Sequence, residues 1–430
     1  ILYNQMSEAI QKSYNKMVDS VKNSINLKKA QLVQLGVFLI GTLMILLLFI
    51  WSYSKLTLSR SNCSNIEKNK LDASELKPYN YNKSQEAVDN VDKTYGDYRL
   101  RDFYVKTAYN CCASGSFSHD FVNECAIENC IQLGARCLDF EVYSFDDNPI
   151  ISVSTDKNFG VKETYNYLEF DRIMAKIRDM AFTSGKNSAG NISSDPLILH
   201  FRIKTEHKNI LDSMADSLNK NFYDRLLSRR YSYQYNGKDL GNVEMKYLKS
   251  KVIIIVNNVG PLNIEETKLY EYVNIVSGGE NMRLMRYKEV TLSGVLDEIR
   301  DYNKGNMSIC IPDLNASPEN MDWSQLMHKM IQGKKYDETL KRDIPAIIPY
   351  GYGIQFVGMS FQSPTGRIDP LLKTYMDEFN RNKSSFILKP KEFRKETPQT
   401  TIEINTDNIN KKFAGDAVSN EILSLFGGTM

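Results

Sequence analysis

The sequence predicts an α/β fold: a TIM-type (β/α)8 barrel preceded by an amphipathic helix and a single transmembrane helix. Three features carry this prediction. Residues 30–54 hold no charged side chain, the stretch after them is polar, and from about residue 102 short β-rich runs alternate with amphipathic helical runs. Repeated strand–helix units imply a parallel sheet with helices on its faces, and this many of them favour closure into a barrel. At 430 residues, with 42% apolar and 25% charged, the chain is ordinary globular material able to bury a sizeable core. Its net charge of +2, with no basic stripe and no zinc-finger spacing, argues against nucleic acid as a partner.

At the N-terminus Met6, Ile10, Tyr14, Met17, Val21 and Ile25 recur every three or four residues, which describes an amphipathic helix over 1–31. Its apolar stripe could lie on a membrane surface, helped by Lys12, Lys16, Lys22, Lys28 and Lys29, or pack on a partner. Glu8 and Asp19 on the polar face favour the protein partner. Residues 32–54 are long enough to cross a bilayer core of about 30 Å as a helix. Lys28, Lys29 and Lys55 bracket the run, and Trp51 and Tyr53 sit where interfacial aromatics belong. A cleaved signal peptide is the rival, but the run is too long for an h-region and begins too far into the chain. Basic residues flank both ends alike, so orientation is not set by charge.

Residues 55–101, rich in Asn, Ser, Lys and Asp and containing Pro78, predict a polar linker; 102–394 are assigned to the barrel and 395–430 to a C-terminal tail. Seven cysteines are too sparse for a disulfide scaffold and leave the redox compartment open. Cys111, Cys112, Cys125, Cys130 and Cys137 read as buried small hydrophobes, since no paired C-x-x-C or histidine spacing suggests zinc. The N-x-S/T triplets at Asn62, Asn82, Asn191, Asn306, Asn315 and Asn382 are what an Asn-rich chain generates by chance.

The predicted barrel elements run DFYVKTAYN, a helix near 119–134, ARCLDFEVYS, PIISVS, a helix near 165–184, PLILHFRIK, a helix near 208–227 and KVIIIVNN. A helix near 292–302, MSICIPDL, a helix near 323–330, GIQFVGMSF and a helix near 370–380 complete the series. In order and spacing, GARCLDFEVYSFDDNPII, TDKNFGVKETYNYLEFDRIMAKIRDMAF and PLILHFRIK resemble the X half of the eukaryotic phosphatidylinositol-specific phospholipase C catalytic barrel. DLGNVEMKYLKSKVIIIV, ICIPDLNASPENMDW, GIQFVGMSFQSP and SSFILKPKEFR resemble its Y half. The resemblance covers residues 102–394.

That resemblance implies cleavage of a lipid phosphodiester by two histidines, one helping the inositol 2-hydroxyl attack and one protonating the leaving diacylglycerol. Calcium, held by an asparagine and carboxylates, would steady the phosphate. Proton transfer at neutral pH needs groups titrating near 7, hence histidine in both roles. Here Tyr109 stands at the first histidine position, ahead of Asn110, and the second falls at Ser152 or Val153. The remnant calcium site is Asn110, Asp139 and Glu141, with the two acids exchanged relative to the family's order, and Arg202 stands where another glutamate is expected. A guanidinium cannot coordinate calcium. The family's head-group arginine has no counterpart in PDLNASPENM.

The remaining histidines, His119, His200, His207 and His328, read as structural or surface residues. His200 shares strand parity with Arg202 and Lys204, so all three could point into the barrel. Asp146 and Asp147 beside Asn148 read as a polar turn before Pro149. Arg202, two strands on, is expected to face Asp139 and Glu141 and to fill the place of the lost calcium; the alternative is that it snorkels to solvent at the strand end.

The expected function is therefore non-enzymatic and without cofactor: a membrane-anchored phospholipase C-like barrel serving as a structural or binding module. Partners would meet residues 1–31 and the barrel surface. The Asn- and Lys-rich composition suits a large DNA virus, where such a chain would join an internal virion membrane to the capsid shell. The rival is an active phosphodiesterase, calcium-dependent or independent, on phosphoinositides or related lipids with a rearranged site. A histidine at the barrel mouth within reach of Asn110 would favour the rival.

Overall fold

Runs such as LILHFRI and VIIIVNN are mostly Ile, Val, Leu and Phe rather than strictly alternating, the pattern of strands covered on both faces. In the computed structural model they are central strands of a parallel barrel. The structure describes residues 2–68, 76–77, 97–155, 160–183, 194–258, 260–292, 296–312, 347–362 and 370–395. The strands are β1 (Phe103–Ala108), β2 (Cys137–Phe145), β3 (Asn148–Ser152), β4 (Leu168–Glu169), β5 (Leu197–Ile203) and β6 (Val252–Asn258). They continue as β7 (Ile275–Val276), β8 (Met282–Arg286), β9 (Met307–Ile311), β10 (Phe356–Met359) and β11 (Phe386–Leu388). The barrel order is β7-β6-β5-β2-β1-β10-β9-β8, and Gly278 N–H donates to the Met282 carbonyl at 2.7 Å where the two ends meet.

Four helices matter for the site: α1 (Leu2–Lys68), α2 (Glu124–Gln132), α3 (Phe170–Ala181) and α4 (Lys208–Phe222). Helix α3 buries Phe170, Ile173, Met174 and Ile177, one face at helical spacing, and Phe170 meets Phe201 of β5 at 5.3 Å. Phe140 and Phe201 stack at 6.1 Å on this outer face of the sheet. Alternation then turns Asp139, Glu141, His200 and Arg202 inward.

The structure corrects several expectations. The anticipated linker does not begin at residue 55: α1 runs unbroken to Lys68 and its last turns dock on the barrel. Ile66 is buried, the buried Asn62 donates to Asp120 Oδ1 at 2.8 Å, and Asn123 donates to Ser59 Oγ at 3.2 Å. Cys125, read as a buried hydrophobe, is half-buried and disulfide-bonded to Cys63, with Cα atoms 5.9 Å apart. These partners lie far apart in sequence, so composition alone makes the segment look like a linker.

PIISVS is not a barrel strand. Asp146 and Asp147 have φ of +49° and +57°, a two-residue turn that folds β3 back antiparallel on β2, with Phe145 opposite Asn148. With β3 and β4 off the barrel path, β5 is the direct neighbour of β2 rather than two strands on. The sequence reading also passed over β7 and β8, which are short and, in MRLMR, carry two arginines. The turn tract after Pro312, the helix near 323–330, His328, most of the expected linker and residues 396–430 lie outside the described residues.

Two predictions follow from the packing. A cross-link closing a loop of this length stabilises by about 2–4 kcal/mol, so Cys63→Ser should lower unfolding stability by that amount in denaturant titrations, and the difference should vanish under reductant. Lys106 of β1 is fully buried beside the Phe379 ring, and its Nζ meets no hydrogen-bond acceptor among the described residues. Burial drops its pKa to about 7. Between about pH 7 and the unfolded value of 10.5 the unfolded chain binds more protons, so this penalty is complete below pH 7 and is relieved as pH rises. Lys106→Met should therefore stabilise by about 2–4 kcal/mol at pH 6, and by clearly less at pH 10.

Candidate functional site

Strands β2 and β5 lie parallel in register, Asp139 beside His200 and Glu141 beside Arg202, so two acids, an imidazole and a guanidinium face the barrel axis on adjacent strands. Arg202 takes Asp139 in bidentate fashion, Nε to Oδ1 at 3.0 Å and Nη2 to Oδ2 at 2.8 Å. Its Nη1 donates to Glu141 Oε1 at 2.6 Å and Nη2 also donates to Asn110 Oδ1 at 2.6 Å. The guanidinium carbon lies 4.7 Å from the centre of the Tyr109 ring, a cation–π contact. A planar fork of donors suits this convergence of oxygens, where an ammonium would reach fewer.

Asn110 follows β1 with φ of +44°, a left-handed backbone that asparagine tolerates better than most residues. This kink aims its amide oxygen at Arg202 and its backbone N–H at Asp139 Oδ2, 3.0 Å away. Its Nδ2 is buried without a partner among the described residues. The carboxylates accept further hydrogen bonds. Asp139 Oδ1 meets His200 Nδ1 at 2.7 Å, and Glu141 Oε2 accepts from the Tyr143 hydroxyl and from Ser154 N–H at 3.1 Å. His200 Nε2 lies 2.8 Å from Ser277 Oγ. With a carboxylate on one side, Nδ1 carries the hydrogen towards it.

The cluster is dry: Asp139 is fully buried and Arg202 and Glu141 side chains are each 3% exposed. Burial by itself would raise the Asp139 pKa, but the Arg202 charge and the hydrogen bond from His200 outweigh it and hold the carboxyl far below its usual range. Arg202 shows the converse, burial opposing its charge and Asp139, Tyr109 and Glu141 holding it charged. The Tyr109 phenol is pushed up by burial.

Tyr109, Asn110, Asp139, Glu141 and Arg202 thus come together in one cluster. Ser152 lies at its edge, paired opposite Glu141 on β3, with its hydroxyl against Thr164, and Val153 is buried beside it. His200 sits one inward-facing position deeper than Arg202, about 7 Å down the strand, and is sealed between Asp139 and Ser277. His119 is exposed on the loop after β1, where its backbone N–H donates to the Glu163 carbonyl, and His207 is exposed ahead of α4. Sequence reasoning missed Tyr143, Ser154 and Ser277. Tyr143 shares inward parity with Asp139 and Glu141 and could have been found that way; Ser277 follows the overlooked β7 and carried no signal.

Residues 97–258 match the family model for the phosphatidylinositol-specific phospholipase C X domain. Among solved structures, PLC21 of S. officinalis is 18% identical with a TM-score of 0.50, covering 70% of this chain and 38% of that one. PLC21 of L. pealei is 17% identical with a TM-score of 0.51 and the same coverages. At this identity the likeness shows the fold, a phospholipase C-like TIM barrel, and this chain spans under two-fifths of those proteins' length. No curated protein sequence matches the chain.

Removing Arg202 would leave two acids buried without a cation. Arg202→Ala should destabilise by about 3–5 kcal/mol in denaturant unfolding at pH 7. Adding Asp139→Asn should recover part of the loss, so a double-mutant cycle showing no coupling would contradict this account of the cluster.

Proposed function

We propose that the chain is a membrane-anchored phospholipase C-like barrel without catalytic activity, serving as a binding or structural module. One observation carries the reading: the Arg202 guanidinium occupies Asn110 Oδ1, both oxygens of Asp139 and one of Glu141. Calcium requires 6–8 oxygen ligands at about 2.3–2.6 Å. The oxygens that a calcium ion would need are already bonded to a fixed cation, and an ion among them would meet that charge at close range. The residues present therefore do not fit calcium.

Proton transfer is equally unsupported. Tyr109 is a buried phenol with a raised pKa, Ser152 is a hydroxyl held by Thr164, and neither titrates near neutrality. His200 is the histidine bonded into the cluster, and it lies below Arg202 with both ring nitrogens engaged.

Anchoring rests on α1, whose central apolar window has a mean hydropathy of 2.6 and is wholly exposed. Exposed Leu, Ile and Phe side chains through residues 32–50 suit a lipid environment. On the N-terminal side Tyr14, Met17, Val21 and Ile25 are also exposed, a stripe suited to a protein partner. The Asn- and Lys-rich composition supports placement in an internal virion membrane beneath a capsid.

Full-length protein in phosphatidylinositol vesicles should release no inositol phosphate above the blank, with or without calcium, and millimolar calcium should leave the melting temperature unchanged. Calcium-dependent turnover, or a calcium-induced rise in melting temperature, would overturn the reading in favour of a phosphodiesterase.

A further inference from the structure

We infer that the barrel and residues 55–68 lie in an oxidising compartment, with residues 2–29 on the opposite, reducing side of the membrane. The inference rests on the proposed reading of residues 32–54 as a membrane span. What carries it is the disulfide between Cys63, in the last turns of α1, and Cys125, in the first turn of α2. Lys55 is the first charged residue after the apolar run, and Cys63 stands about 12 Å further along the helix, clear of the hydrocarbon on the barrel side. Basic residues flank both ends of the span and do not choose between the sides, whereas the bond does, because disulfides persist in oxidising compartments and are rare elsewhere.

The two thiols are brought together by packing that does not need the bond. Asn62, immediately before Cys63, donates to Asp120, and Asn123, two residues before Cys125, donates to Ser59, one turn back on α1. Ile66 is buried in the same seam. Lys55 donates to the His119 carbonyl at 3.4 Å and its Nζ lies 5.4 Å from the Tyr165 ring centre, so the docking begins where the apolar run ends. Bond formation removes two protons and two electrons from the thiol pair. A disulfide-bearing oxidoreductase of that compartment accepts them and is left as a dithiol.

The remaining cysteines explain why only one bond forms among the described residues. Cys111, Cys112, Cys130, Cys137 and Cys310 are all buried in the barrel. Burial pushes the thiols of the first four upward, which suppresses the thiolate needed for exchange. They stay reduced in an oxidising medium, and they are shielded from reagents while the barrel is folded. Thiol labelling of the native protein therefore reports on Cys63 and Cys125.

The test uses the full chain expressed in eukaryotic cells and recovered in sealed microsomes. Alkaline carbonate extraction reports the span by itself. Protease added outside, and a maleimide applied before and after mild reduction without denaturant, report the side. The expected result is resistance to extraction, a barrel fragment protected until detergent is added, and two thiols per chain that label only after reduction. A Cys63→Ser, Cys125→Ser double variant should lose the reductant-dependent labelling and keep the protease protection. A chain that resists extraction but whose barrel is digested in sealed vesicles, with Cys63 and Cys125 labelling unreduced, overturns the sidedness and leaves the anchoring intact. A chain released by carbonate overturns both.

Discussion

Two carboxylates side by side on one strand, inside a barrel and away from water, need a cation. Asp139 and Glu141 meet that condition, and Arg202 supplies the charge from the next strand with each of its nitrogens bonded. Its demands explain the surroundings. Asn110 adopts a left-handed backbone to present its oxygen, Tyr109 lays its ring against the guanidinium, and Tyr143, Ser154 and His200 supply the donors that the arginine cannot. The oxygens of Asp139 and Glu141 are thereby tied to fixed donors of the barrel.

The second organising contact joins the barrel to its helix. A flexible linker would let the barrel sample many orientations above a bilayer. Instead the last turns of α1 are bonded to the loop between β1 and α2 and cross-linked to α2, so the helix and the barrel are held together by packing. That loop follows the carboxyl end of β1, the same end of the barrel on which the Arg202 cluster lies. The mouth of the barrel and the exit of the apolar run are thereby neighbours. On the proposed reading of the span, the barrel is mounted with its mouth towards the membrane.

Particular residues show what could be read from the chain alone. Asp139 and Glu141 in ARCLDFEVYS, and His200 and Arg202 in PLILHFRIK, are spaced by two, and two-residue periodicity on a strand is enough to place each pair on one face. The apolar run of α1 is equally local, since its length and lack of charge are properties of consecutive residues. The Asp146–Asp147 turn carried its own information too: both residues tolerate positive φ, which reverses the chain and takes β3 off the barrel. The turn itself was legible, but its tightness was not: that β3 pairs antiparallel with β2 depends on the two strands meeting, and PIISVS by itself reads like any other apolar strand. β7 and β8 were missed because a two-residue strand and an MRLMR run carry almost no periodicity, and it is their neighbours that make them strands.

By itself, then, the sequence determined the fold class, the apolar helix and the five residues of the cluster, because strand parity, hydropathy and motif order act over short distances. Tertiary structure decided how those residues are used. It set β5 directly against β2, which turned a facing arginine into a bidentate partner, and it buried His200 below the cluster rather than at the mouth. It also paired Cys63 with Cys125 and seated Asn62 on Asp120, turning an apparent linker into a docked helix. These are contacts between segments remote in sequence, and their energies depend on burial and mutual distance, which local spacing does not encode.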